Sequence, residues 1–332
     1  MIPEFFNRMA IALCMCFSVT VGAVQAQSVS YTLAGASPSG LWTLLGTGLD
    51  NAVKKSIPGS TITYQTTGGG FANAAMVQQG RAHLGLIHDA ELKIASAGET
   101  PFREPMSKLR VIGYMYDWAP MQFIAAKKFA DEYGIESLAD LAKQKAPVRV
   151  TVNRAGNITG SIASAILNEV GANEESVASW GGAIIAAGSS EQSSLFQNGR
   201  INMFTNGVFV GHSSIRELEN AVDIKVLDVP LEVREKISKQ FGIGFFTIPA
   251  GSYKNQDKNI ETLTLGAVLI VNEDMPEEEA YALTNAIIEN IDSLRAVHPS
   301  MKSLETELLV KETSMPFHKG ALKAYKERGL IQ

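Results

Sequence analysis

The chain is almost free of cysteine: among its 332 residues only Cys14 and Cys16 occur, both near the start. Past that point there is no disulfide, no thiol nucleophile and no thiolate metal site to consider. An excess of either charge is missing too. Lys and Arg total 29 against 34 Asp and Glu, a formal net charge of -5. No basic block interrupts this balance, which argues against nucleic acid and against an acidic membrane surface as partners. Histidine is scarce: His83, His88, His212, His298 and His318 form neither H-E-x-x-H nor an i, i+4 pair. The phosphate-loop pattern and the G-x-G-x-x-G dinucleotide fingerprint are absent. The nearest approach to a nucleophile elbow, Gly211-His-Ser213-Ser-Ile215, lacks the final glycine. A catalytic constellation is therefore missing, no cofactor is called for, and the balance tips towards a binding protein.

Long apolar runs are also few. Residues 10–24 (AIALCMCFSVTVGAV) form one of signal-peptide length, too short to span a bilayer comfortably. Val24-Gln25-Ala26 offers small residues at the positions a signal peptidase reads, so residues 1–26 are expected to be removed after Ala26. Both cysteines leave with that segment, and Leu13 ahead of Cys14 argues against a lipid anchor. The expected product is an exported, periplasmic protein of about 300 residues, more than one hydrophobic core usually organises.

What is present is an alternation of strand-like and helix-like segments, the pattern of an α/β fold with largely parallel sheets. One series begins with a strand at 28–34, a turn at 35–40 and a helix at 41–56 closed by Pro58-Gly59. A second begins with a helix near 137–145, a strand at 148–152, a turn at 153–160 and a helix ended by Gly171. Two long helices are expected to close the chain, the first entered at Pro276 with Glu277 to Glu279 in its opening turn. Extended segments at about 112–124 and 244–250 are expected to carry the chain between two lobes. Lobe I is then 27–115 plus 249–332, and lobe II is 116–248. Such a two-lobed clamshell places its ligand cleft at the carboxyl ends of the strands.

The turns predicted to meet there are 35–40, 66–71, 88–89, 153–160 and 206–211. Three of them are short, polar, uncharged and lead into helices, where backbone N–H groups point outward and suit an anion. Each has a plain alternative. Ser37, Ser39 and Gly40 serve equally as an N-cap, and Thr67, Gly68 and Gly69 as a tight β–α turn. Asn157, Thr159 and Gly160 serve as a polar turn. Leu41 belongs to the first of these helix openings. Trp42 and Tyr116 are read either as cleft walls or as core aromatics. Arg154 is a cation in a candidate turn, free to meet solvent or a carboxylate. His88 and Asp89 end a strand, and with Glu91 they raise a metal site only as a minor alternative to an ordinary strand end.

At these turns the chain resembles the TAXI family, the extracytoplasmic solute receptors of TRAP transporters. The resemblance spans nearly all of the mature chain. It rests on Gly35-Ala-Ser-Pro-Ser-Gly-Leu-Trp42, Thr66-Thr-Gly-Gly-Gly70, Gln79-Gly-Arg-Ala-His-Leu-Gly-Leu86, Thr205-Asn-Gly-Val208, Ile248-Pro-Ala-Gly-Ser-Tyr253 and the ending from Pro316 to Gly329. It implies a type II periplasmic-binding-protein fold and a monomer without cofactor. It also implies capture of a small organic anion, such as glutamate or a dicarboxylate, for TRAP membrane subunits. Ligand contacts would fall at the first turn, the threonine–glycine turn, His88-Asp89 and the helix-opening turn of lobe II, with Asn206 and Gly207 joining from the matched Thr205-Asn-Gly-Val208. The chain departs from the family's usual pattern at Trp42, at His88-Asp89 and at Asn153-Arg-Ala-Gly-Asn-Ile-Thr159. Two rivals remain: a sensor presenting its closed lobes to a membrane histidine kinase, and a hydrolase using Ser213 and His88.

Overall fold

The structure, a computed structural model, describes residues 28–36 and 40–332. The expected signal peptide, both cysteines, Ser37 and Ser39 lie outside the described residues. Chain order begins β1 (Ser30–Ala34), α1 (Leu41–Ser56), β2 (Thr61–Gln65), α2 (Gly70–Gln78), β3 (Leu84–His88), α3 (Asp89–Ala97) and the long β4 (Leu109–Ala126). Then follow α4 (Lys127–Tyr133), α5 (Ala139–Gln144), β5 (Arg149–Val152), α6 (Ile158–Glu169), α7 (Glu174–Ser179) and β6 (Ala183–Ala186). After these come α8 (Ser189–Gln197), β7 (Met203–Gly207), α9 (Ser213–Ala221), β8 (Ile224–Val226), α10 (Leu231–Phe241) and β9 (Gly244–Ile248). A second long strand, β10 (Ile260–Asn272), leads to α11 (Glu277–Glu289), α12 (Ile291–Arg295), two 3-10 turns and α13 (Lys319–Glu327).

The strands run β2-β1-β3-β10-β4-β7-β5-β6, with β8 added to β4 and β9 to β10. Pairing is parallel among β1, β2 and β3 and among β5, β6 and β7. The long strands β4 and β10 run antiparallel to each other and to their neighbours β3 and β7. This is the expected α/β, two-lobed clamshell, each lobe a sheet flanked by helices. The parallel pairs follow from strand–helix–strand connections, which only a crossover can close.

The two long strands do the joining. Met121, Phe123 and Ala125 of β4 sit in the lobe II core, whereas Ile112, Met115 and Tyr116 sit in that of lobe I. On β10, Leu263 and Leu265 belong to lobe II and Ala267, Leu269 and Val271 to lobe I. β4 thus passes from one core to the other, and the chain passes back on β10 rather than on 244–250: residues 244–248 form β9, which pairs with the first half of β10. Thr262 and Thr264 disguise that strand in the sequence. Their hydroxyls donate to the carbonyls of Met121 and Asp117, a use of buried polar residues that apolar patterning does not register. The C-terminal expectation is also corrected. α11 has 13 residues and is entered from Pro276 with three glutamates in its first turn, but the last helix, α13, has only nine. Short helical pieces fill the interval, because Pro299 and the run to Leu309 wrap the lobe I core rather than extend from it.

Candidate functional site

The first turn is shaped by close approach. A Cβ on Gly35 would collide with the ring of Tyr64, whose hydroxyl accepts from the Ala36 N–H at 2.6 Å. That clamp brings the N-terminus of the sixteen-residue α1 to the carboxyl ends of β1 and β3. Between the lobes lies a cleft of about 220 Å³. Lobe I supplies Ala36, Gly40, Leu41, Trp42 and His88; β4 supplies Tyr116 and Ala119; lobe II supplies Gly207, Val208, Phe209 and His212.

Rings dominate its walls. Trp42 Nε1 donates to the Tyr116 hydroxyl at 3.0 Å, and the Trp42 and His88 rings lie 4.9 Å apart. Tyr116 meets Phe209 edge to face at 5.1 Å and the His298 ring lies 5.9 Å from that of Phe209, so Phe209 joins the two lobes through aromatic contacts. His88 and Tyr116 are both cross-strand partners of Ala267 on β10, which sets them on either flank of that strand at the crossing. His88 Nδ1 lies 3.0 Å from the Gly266 carbonyl, and with a proton on Nδ1 it donates there. Burial lowers the imidazole pKa to about 4, so it is neutral at pH 7. His212 is lowered too, by burial first and by His298 second.

Behind this wall lie two acids, half-buried Asp89 and buried Glu91. Asp89 Oδ2 accepts from the Tyr114 hydroxyl and from the Gly266 N–H at 3.1 Å, turning Asp89 towards the sheet crossing. Burial raises its pKa to about 6, against the pull of those donors. Glu91 accepts from the His88 N–H at 3.0 Å, and burial raises its pKa to about 8. Its carboxyl lies over Gly70, where any Cβ would strike it. The third glycine of the threonine–glycine turn therefore makes room for the chain's own acid.

Of the residues singled out from sequence, Gly40, Leu41, Trp42, His88, Tyr116 and Gly207 line the cleft together. Thr67, Gly68 and Gly69 stand beside it. Thr67 donates to the Gly35 carbonyl at 2.6 Å and accepts from Gly69 N, where a φ of 102° requires glycine. Asn157 caps α6, accepting from the N–H and the hydroxyl of Thr159. Gly160 has no space for a side chain, since a Cβ would lie 2.5 Å from the Asn153 carbonyl oxygen. Asn206 is buried behind Gly207 and accepts from its N–H. Arg154 points away, paired with Glu191 at 2.8 Å on an exposed surface.

Ser213 begins α9 exposed, and no hydrogen bond joins it to His88; the serine that meets a histidine is Ser214, at 2.9 Å from His212 Nδ1. Among the described residues no group of three His, Cys, Asp or Glu is placed to hold a metal, and no helix is long and apolar enough to cross a membrane. Val208 and Phe209 were not named individually as contacts, although the turn 206–211 that holds them was expected at the cleft; His212, just past that turn, was not expected there.

Several solved structures share this fold. MatC from Rhodopseudomonas palustris with bound malate aligns over 82% of this chain and 88% of its own, at 12% identity and a TM-score of 0.53. The periplasmic binding protein BugD aligns over 92% and 95%, at 13% identity and 0.51. A TctC solute-binding protein from Polaromonas aligns over 92% and 96%, at 16% and 0.52. At such identities the likeness is one of fold. In sequence, residues 33–329 match the NMT1-like family, and the chain belongs to that family.

Proposed function

We propose that the protein is an extracytoplasmic solute receptor that captures a small organic acid between its lobes and delivers it to a membrane transporter of the TRAP type. One observation carries this reading: the start of α1 and the ends of β3 and β7 meet at a single cleft between two cores. That is where an open α/β fold binds small ligands. The TAXI-like turns support the transporter assignment, and the signal-like residues 1–26 support export to the periplasm. The fold likeness to MatC, which carries malate, supports an organic acid as ligand.

In this reading Gly40, Leu41, Trp42, His88, Tyr116 and Gly207 touch the solute, and Thr67, Gly69, Asp89, Thr159 and Asn206 hold those residues in place. Closure is a hinge motion about β4 and β10, each of which passes between the cores as one continuous strand. Native mass spectrometry of freshly purified protein is expected to show a co-purified small acid. Calorimetry across mono- and dicarboxylates and amino acids is expected to find a ligand whose binding contracts the particle in solution scattering. A screen with no binder and no contraction would reject the receptor reading.

A further inference from the structure

We infer that the solute held in this cleft carries a flat ring, packed against Trp42 with His88 beside it, and no more than one negative charge. The inference deepens the receptor reading above and rests on it. The walls are rings from both lobes: Trp42 and His88 at 4.9 Å, Tyr116 against Phe209 at 5.1 Å, and His212 beside them. Trp42 is not free to turn, because its indole N–H is fixed on the Tyr116 hydroxyl. A fixed indole beside an imidazole offers a preset face, and stacking on such a face needs little further ordering.

Charge points the same way. None of the described residues lining the cleft is Lys or Arg, and residues 37–39 are Ser, Pro and Ser. The two lining histidines are held neutral by burial. Two carboxylates brought into this space would meet no cation, and desolvating them without one is costly. One carboxylate has a seat, since Gly40, Leu41 and Trp42 open a long helix whose positive dipole end faces the cleft. Beside these rings a buried indole donor, Trp118 Nε1, has no hydrogen-bond partner; its ring centroid is 6.2 Å from that of Tyr116. A ring acid matches this combination and an open-chain diacid does not.

The test is calorimetry of the full mature protein with benzoate and nicotinate against succinate, malate and glutamate. The ring acids are expected to bind at least tenfold more tightly than any of the open-chain acids. Trp42→Leu is expected to weaken benzoate binding tenfold or more, and Trp42→Phe, which keeps a stacking face, by less than threefold. Ring acids should also change the indole fluorescence of the wild type, and most of that change should be lost in Trp42→Phe, which keeps Trp118 and Trp180. The fluorescence arm decides the matter if Trp42→Leu does not fold. Tighter binding of succinate, malate or glutamate would overturn the ring inference and leave the receptor standing. Binding of neither class, with no co-purified solute, would overturn both.

Discussion

Replacing Gly266 with alanine should destabilise the protein by about 3 kcal/mol, lowering the urea midpoint with little change in slope. Gly266 lies on β10 where the chain passes between the lobes, and the pairing of β10 with β4 shifts register across it, between Leu265 and Ala267. A Cβ there would fall inside the ring of Tyr114, one of the largest fully enclosed side chains. Tyr114 has nowhere to go. Its hydroxyl is held by Asp89, which also accepts from the Gly266 N–H, while the Gly266 carbonyl faces His88 Nδ1. Overpacking alone costs about 1–3 kcal/mol, and parting a buried carboxyl from its donors adds a similar amount. The natural control is Gly244→Ala on β9. Its Cβ would make an ordinary contact of 3.5 Å with Thr264, so a change within about 0.5 kcal/mol is expected. Equal stability of the two variants would show that the Tyr114–Asp89–Gly266 contact is not a rigid unit.

Thermal unfolding should shift to lower temperature as pH rises from about 7 to about 8, and Glu91→Gln should remove that slope. Buried Glu91 keeps its proton to about pH 8 when folded, whereas its ordinary value is 4.5. Between these values unfolding releases a proton, so stability falls as pH rises. The other perturbed groups near neutrality act lower. Asp89, raised to about 6, has the same sign and is largely finished by pH 7. His88, lowered to about 4, and the lowered His212 and His318 have the opposite sign, and their opposition fades above the ordinary imidazole value of 6.5. The interval from 7 to 8 therefore belongs chiefly to Glu91. At about 1.4 kcal/mol per pH unit it amounts to about 1 kcal/mol. Glutamine keeps the shape and can still accept from the His88 N–H, so the variant should fold. An unchanged slope in Glu91→Gln would assign the proton to another group.

Much of the fold was legible because its strands are punctuated. Gly35, Pro58-Gly59, the three glycines and Gly171 mark boundaries that the chain obeys, and the apolar runs between them are the strands of β1, β3, β5 and β10. The second crossing was misplaced for a physical reason. Phe245 to Ile248 is a conspicuous apolar run, yet Phe245 is 47% exposed and Arg234 stacks on its ring, as befits an edge strand. The strand that does cross carries Glu261, Thr262 and Thr264 near its start; the two hydroxyls donate to β4 carbonyls, and the Glu261 carboxylate accepts from Arg234 and Thr247.

The site divides similarly. Short polar turns opening onto helices identified Gly40, Leu41 and His88, because strand ends and helix starts are local and the chain writes them locally. Trp42 and Tyr116, seventy-four residues apart, could each have been core or wall; only the bond between them decides that they are both. The sequence by itself determined the class of fold, the alternation that builds two lobes, and the short polar turns that open its helices. The tertiary structure alone decided that Glu91 fills the space above Gly70, that Asp89 turns to Tyr114, and that Phe209 and His212 close the cleft from the far lobe. Backbone propensity acts over a few residues, whereas burial, pKa and stacking depend on what a second element brings within a few ångströms. Nothing in a linear pattern records which element that will be.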